Sequence, residues 1–157
     1  MKAQITVAPE PFSSDDDMLS VYLAGAIDMG AAVDWQAYVI KRLSDTPIRI
    51  LNPRRDTPFT PDMLDEQIRW ELDAMDRADW ILMWFPKDSK APVALFESGL
   101  FWADETKFIV GAEQGFYRRR NLELTANHIM RPLYASIEEL LTVLHSRLAI
   151  ALEGFPF

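Results

Sequence analysis

The hexapeptide Trp80-Ile-Leu-Met-Trp-Phe85 has no polar side chain on either of its alternating faces. A strand with one face in water alternates apolar and polar residues, so a run apolar on both faces predicts a strand covered above and below, as in the middle of a parallel sheet. Parallel neighbours need a crossover between them, and the flanking sequence supplies several. Leu19-Ser-Val-Tyr-Leu-Ala24, ended by Gly25, reads as the first strand, and Asp34 as the cap of a helix over Trp35 to Leu43. Ile48-Arg-Ile-Leu51 is a short strand stopped by Asn52-Pro53. Pro61 opens an amphipathic segment reaching about Arg77, and Pro92 opens a helix reaching about Asp104. Phe108-Ile-Val110 reads as a fourth strand, a weak fifth lies near Pro132 to Tyr134, and a last helix covers Ile137 to Ala149. Residues 1–18, with Pro9, Pro11 and Asp15-Asp16-Asp17, read as a mostly irregular lead-in. The expectation is one α/β domain over residues 1–157, a flavodoxin-like or Rossmann-like three-layer sandwich with a five-stranded, mainly parallel sheet.

Charge and composition exclude several function classes. The chain has 24 acidic and 16 basic residues and a net charge of -8, a balance that argues against nucleic acid or an anionic membrane as the partner. The apolar run at Trp80 is far too short to span a bilayer. Asp15-Asp16-Asp17 falls where a signal peptide needs an apolar stretch. Cysteine is absent, which removes thiolate catalysis and Cys-based zinc sites and suits the cytoplasm. The two histidines, His128 and His145, are too few for a His-based metal site. The expectation is a soluble cytoplasmic protein, with no metal or cofactor, acting on something small.

Ligands of open parallel sheets bind beyond the carboxyl ends of the strands, where the strand order reverses. That points to the residues after Ala24, Leu51, Trp84 and Val110. The first such loop, Gly25-Ala-Ile-Asp-Met-Gly30, lacks both the G-x-G-x-x-G and the G-K-[ST] phosphate signatures. It is either a tight turn with a solvated Asp28, or the wall of a pocket in which Asp28 accepts hydrogen bonds from a neutral ligand. The helix after Pro92 has an apolar stripe on Val93, Phe96, Leu100 and Phe101, and Glu97 stands where the stripe should continue. A carboxylate beside the core is costly unless paired or used chemically; the plain alternative is a Glu favoured by the helix dipole, with its head in water. The preceding helix repeats the pattern, with Glu71 beside the stripe Leu64, Ile68, Leu72 and Met75. Two carboxylates flanking a pocket are the machinery for cleaving a glycosidic bond, one attacking the sugar carbon and one handling the leaving group's proton. If the helix starts at Pro61, Glu71 lies about 15 Å down its axis, so its packed part must start later or bend. Trp35, Phe59 and Trp84 are either faces for a stacked base or core. The apolar ending Leu152-Glu-Gly-Phe-Pro-Phe157 reads as a docking tail over residues 150–157 or as a surface patch.

Taken in order, Val21-Tyr-Leu-Ala-Gly-Ala-Ile-Asp28, Asn52-Pro-Arg-Arg55, Trp70-Glu71, Ala78-Asp-Trp-Ile81 and Ala94-Leu-Phe-Glu-Ser-Gly99 resemble the nucleoside 2-deoxyribosyltransferases. The resemblance implies an enzyme of nucleotide salvage that moves 2-deoxyribose between bases, with retention and through a covalent intermediate. It implies Glu97 as the nucleophile at C1′, Glu71 as the acid that handles the base's proton, and Tyr22 as the hydroxyl that orients Glu97 and holds it ionised. Asp88 approximates a further base-side acid, joining Gly25, Asp28 and Trp35 as substrate-side candidates. Asn121 and the terminal carboxylate of Phe157 resemble elements that the family lends to a neighbour's site to grip the sugar 5′-hydroxyl. That implies a homo-oligomer of at least a two-fold dimer. The partners implied are a 2′-deoxynucleoside and a free nucleobase. Two other readings compete. One is an N-glycosidase hydrolysing (deoxy)nucleoside 5′-monophosphates, with Arg118-Arg-Arg120 at the phosphate; the other is a non-catalytic nucleotide-sensing module on the same fold.

Overall fold

The computed structural model describes residues 2–13, 17–28 and 31–153. Its elements run β1 (Gln4–Val7), β2 (Ser20–Gly25), α1 (Trp35–Leu43), β3 (Arg49–Asn52), α2 (Leu64–Arg77), β4 (Trp80–Phe85), α3 (Pro92–Phe101), β5 (Phe108–Ala112), α4 (Arg119–His128) and α5 (Ile137–Glu153). The sheet is parallel throughout, in the order β1-β3-β2-β4-β5. Trp80–Phe85 is buried at every position and lies between β2 and β5, as its two apolar faces require. One face of the sheet packs on α1 and α5 through residues such as Val21, Leu23, Trp35, Val39, Leu82, Leu140 and Leu144. The other face, which includes Tyr22, Ala24, Ile81 and Met83, packs on residues of α2, α3 and α4. The result is the expected three-layer α/β sandwich. Among the described residues no helix is long and apolar enough to cross a membrane.

Several local expectations hold for identifiable reasons. The Asp34 side chain accepts from the Ala37 N–H at 3.0 Å and so caps α1. A short 3-10 turn at Pro61–Met63 precedes α2, which therefore starts at Leu64 and places Glu71 mid-helix.

Other expectations are corrected. The lead-in is not wholly irregular, because Gln4–Val7 forms an edge strand paired with β3. Beyond it, the backbone carbonyl of Glu10 accepts from the Trp70 indole at 2.8 Å, and Phe12 meets the Trp70 ring edge-on at 5.5 Å. The strand expected near Pro132 to Tyr134 reduces to a single bridge between Tyr134 and Gly111. Residues 119–128 form α4, a helix the sequence reading did not assign; only Leu122 and Ala126 are buried on it, too few for a visible stripe. The last helix continues to Glu153, so residues 150–153 of the expected tail are helical, and residues 154–157 lie outside the described residues.

The strand order reverses between β2 and β4: β3 lies to one side of β2, and the chain then crosses to β4 on the other. At the carboxyl end of that junction Gly25 is paired with Trp84. Gly25 has φ of +137°, and a Cβ there would stand 2.2 Å from the Trp84 carbonyl oxygen, so only glycine fits. Gly25→Ala is expected to destabilise the protein by about 3 kcal/mol and lower Tm by roughly 10 °C. A thermal melt superimposable on the parent's would refute this contact.

Candidate active site

Tyr22 of β2, Glu71 of α2 and Glu97 of α3 gather on one face of the sheet beside the switch point. Tyr22 is fully buried among the strands. Glu97 is 8% exposed and lies on the sheet-facing side of α3 with Ala94 and Ser98. The orientation of both helices differs from the expected one. The stripe residues Val93, Phe96 and Leu100 of α3, and Leu64, Ile68 and Leu72 of α2, point outward and are exposed. The sheet side of α2 is built from Gln67, Trp70 and Ala74 together with Met75, the one α2 stripe residue that is buried as expected, and on α3 the stripe residue Phe101 is half-buried against the core.

The three groups feel one another's charge. Burial pushes the Glu97 carboxyl up to about 8, helped by the neighbouring Glu71. Burial also raises Glu71, against the lowering effects of a hydrogen bond from Gln67 and of the Arg55 guanidinium. Tyr22 is raised well above the ordinary phenol value, by burial first and then by both carboxylates, so its hydroxyl remains a neutral donor. Among the described residues no donor bonds to the Glu97 carboxylate. The expectation that Tyr22 holds Glu97 ionised is therefore corrected for the ligand-free protein: Tyr22 lies within electrostatic range, but desolvation dominates and Glu97 favours its protonated form.

Glu71 is held firmly. The Gln67 amide nitrogen donates to Glu71 Oε1 at 2.7 Å and to the Pro53 carbonyl at 2.8 Å. The Gln67 amide oxygen accepts from Arg55 Nε at 2.6 Å, and Arg55 in turn pairs with Glu66 at 2.7 Å. The segment Asn52-Pro-Arg-Arg55 thus folds over the first turns of α2 and fixes one oxygen of Glu71. Gln67 was missed in the sequence because its importance depends on that loop folding back; its one visible sign was a polar residue four positions before Glu71.

The other expected residues divide. Asp28 is not a bare pocket wall: its two oxygens accept from the Lys90 and Ala91 N–H groups at 3.0 and 2.9 Å, tying the loop after β2 to the start of α3. Ala91 sits at φ of +43° directly before Pro92, a strained turn that these bonds hold in place. Gly25 belongs to the same edge. Trp35 is corrected to core: it is buried on the α1 side, opposite the carboxylates, and its indole donates to the Ala26 carbonyl at 3.0 Å. Trp84 is buried in that same cluster, whereas Phe59 is half-buried in the loop between β3 and α2. Asp88 lies exposed in the turn after β4, and Asn121 lies exposed in the first turn of α4. Phe157 lies outside the described residues.

The basic triplet does not form an open phosphate cradle. Arg119 pairs with Glu123 at 3.0 Å and donates to the Ala112 carbonyl, Arg120 also reaches Glu123, and Arg118 stacks over the Tyr117 ring. Two hollows of about 200 and 260 Å³ lie away from the carboxylates. One, near Phe12, Ser20, Arg49 and Asp79, is at the amino ends of the strands, and the other, near Trp102, Phe108 and Arg147, is at the β5 edge.

A family model described as nucleoside 2-deoxyribosyltransferase like matches residues 18–116, from β2 through the end of β5 and including all three clustered residues. No curated protein matches the sequence.

The raised Glu97 has a thermodynamic consequence. Between about pH 4.5 and 8 the folded protein binds a proton there that the unfolded chain has released, so this group's contribution to stability is lost as pH rises through about 8. Glu97→Gln is expected to match the parent's stability near pH 4.5 and to exceed it by about 2–4 kcal/mol above pH 8. Urea unfolding at the two pH values checks this, and an equal difference at both would refute the burial argument.

Proposed function

The chain belongs to the nucleoside 2-deoxyribosyltransferase-like family, and on that footing we propose that it transfers 2-deoxyribose from one nucleobase to another through an ester on Glu97. The observation that carries this reading is a buried carboxylate with no donor among the described residues, set beside a second carboxylate that is anchored by Gln67.

The reaction divides into two displacements. In the first, a carboxylate oxygen of Glu97 bonds to C1′ as the C1′–N glycosidic bond breaks. The electron pair leaves on the base, and Glu71 supplies the proton that neutralises it. In the second, a nitrogen of the incoming base bonds to C1′, the ester breaks, and the proton released by that base returns to Glu71. Two inversions give net retention. A 2-deoxy sugar suits this path, because no electron-withdrawing 2′-hydroxyl opposes the positive charge that develops at C1′.

The proton inventory fits as well. Glu97 is raised partly by the charge of Glu71, so the active form is the pair holding a single proton. In the free protein that proton favours Glu97; the reactive arrangement has it on Glu71. A base nitrogen accepting a hydrogen bond from Glu71 favours that shift, and in this reading the Tyr22 hydroxyl, a neutral donor within electrostatic range, supports the Glu97 charge that results. Asp28 acts through the loops that it joins. In this reading Asn121, on the exposed start of α4, serves the sugar of a neighbouring subunit.

Intact-mass measurement after incubation with 2′-deoxyinosine should show one added deoxyribosyl group, mapping to Glu97. Glu97→Ala should form no adduct and lose turnover by roughly ten-thousand-fold or more; unchanged transfer by this variant would overturn the proposal. Deoxyadenosine mixed with a second free base separates the competing reaction: a new nucleoside means transfer, whereas free sugar alone means hydrolysis. kcat/KM should fall above about pH 8 as the pair loses its last proton. Gln67→Ala should lower kcat by about ten- to a hundred-fold and shift that alkaline limb, because Glu71 then loses its anchor. A pH profile unmoved by this substitution would remove Gln67 from the mechanism.

A further inference from the structure

We propose that Arg55 is a positioning residue for the proton transfer: by fixing the Gln67 amide it confines the Glu71 proton to a single oxygen, Oε2, which delivers it to the departing base. This rests on the reaction proposed above for the identity of the proton's acceptor, and on the hydrogen-bond chain alone for the oxygen that carries it.

A side-chain amide can be placed either way round, and its neighbours decide which. Arg55 Nε donates and cannot accept, and it lies 2.6 Å from the Gln67 amide oxygen. The Pro53 carbonyl accepts and cannot donate, and it lies 2.8 Å from the amide nitrogen. Both neighbours impose the same orientation. The remaining amide N–H then points at Glu71 Oε1, 2.7 Å away. That oxygen accepts whether or not Glu71 is charged, because the NH2 group facing it offers no lone pair to a carboxyl proton. A proton on Glu71 therefore sits on Oε2, which has no partner among the described residues. In the transfer the Oε2–H bond breaks, its electron pair stays on Glu71, and an N–H bond forms on the base.

The local fold delivers Arg55 to this task. Asn52 Oδ1 accepts from the Arg54 N–H at 3.1 Å, a turn that sends the chain back across α2. Arg55 then grips two successive residues of the helix, Gln67 through Nε and Glu66 through Nη2 at 2.7 Å. A planar guanidinium suits this double contact, whereas the single ammonium of a lysine does not. The Arg55 side chain is 8% exposed, so these partners, and not water, hold it. Its charge also lowers the Glu71 carboxyl, as the Gln67 hydrogen bond does, against the upward push of burial. The other titratable groups in range of Glu71 are Tyr22 on β2 and Glu97 on α3. A reversed amide would undo both effects. Its oxygen would repel the carboxylate and would accept a proton from Oε1, leaving the acid directed at Gln67 instead of at the base.

Leaving-group dependence separates this role from simple support. The base of 2′-deoxyinosine needs a proton as it departs, whereas the base of 7-methyl-2′-deoxyguanosine already carries positive charge and leaves neutral. Arg55→Met should slow single-turnover release of hypoxanthine by about ten- to a hundredfold and release of the methylated base by less than about threefold. Arg55→Lys, which restores the charge and one donor, should recover part of the loss. Equal slowing of both substrates would make Arg55 a structural prop and overturn the proposal. A second readout needs no turnover. With glutamate carboxyls labelled with 13C and the Glu71 signal assigned through Glu71→Gln, Glu71 should titrate at a higher pH in Arg55→Met than in the parent, because a lowering charge is gone and the amide is free to reverse. An unmoved titration overturns the proposal even where the parent transfers deoxyribose. A raised titration in a parent that transfers none removes the reaction and leaves the placement of the proton standing. Should Arg55→Met fail to fold, both readouts apply to Arg55→Lys, with a smaller change in the same direction expected and no change overturning the proposal.

Discussion

α3 holds the Glu97 carboxylate against the sheet and at the same time turns Val93, Phe96 and Leu100 outward. The helix has ten residues and one charge, and the rotation it adopts buries Glu97 with Ala94 and Ser98 while Val93, Phe96 and Leu100 stay exposed. Each of those apolar side chains would gain about 1.5–3 kcal/mol if fully buried, and desolvating a carboxyl without a donor adds a further cost. A helix selected only for the stability of one chain would sit the other way round. α2 makes the same choice, placing Gln67 inward and leaving Leu64, Ile68 and Leu72 outside. Two adjacent helices turned in the same sense define an inner face that carries Gln67 and Glu97 and an outer face that is apolar.

The rest of the architecture keeps those two helices in register with the strands. The switch point between β2 and β4 brings the loop after β2 alongside the start of α3, and Asp28 joins them with two short bonds to backbone N–H groups. Glycine at position 25 lets β2 pass against the Trp84 carbonyl without steric conflict. On the α2 side, the turn that follows β3 is pinned by Gln67 through the Pro53 carbonyl. Tyr22 is the floor between the helices, fixed by strand pairing on both sides, Tyr22 with Leu51 and with Ile81. Tyr22, Glu71 and Glu97 therefore inherit their positions from a strand and two helices and not from a free loop, the kind of support that holds side chains in a fixed geometry.

What the sequence disclosed follows from what periodicity measures. Trp80 to Phe85 could only be a doubly covered strand, and Asp34 before Trp35 had the spacing of a cap, so both were legible. The stripes of α2 and α3 were legible as amphipathic but, Met75 and Phe101 apart, were assigned to the wrong side, because periodicity reports that one face is apolar without naming what covers it. Glu97 and Glu71 stood out by interrupting or flanking those stripes, and that signal survived the inversion: a residue beside an expected core face is notable whichever way the helix turns. Gln4–Val7 escaped notice because a four-residue edge strand, exposed or half-buried along its length, carries little pattern of its own. Arg119–His128 escaped because two buried residues do not make a stripe. Gln67 and Arg55 act across twelve residues of sequence through a folded loop, and no local pattern encodes that.

The inner and outer faces are also linked energetically. The shift that raises Glu97 comes first from removal of water, and water removal depends on how closely α2 and α3 stay packed over Tyr22. An anion formed there has few groups to solvate it, so it is costly to form and correspondingly ready to bond to a carbon that is gaining positive charge. Helices with half-exposed apolar flanks open locally at lower cost than fully packed ones. The outward stripes of α2 and α3 thus bear on how readily the layer over Glu97 opens to water.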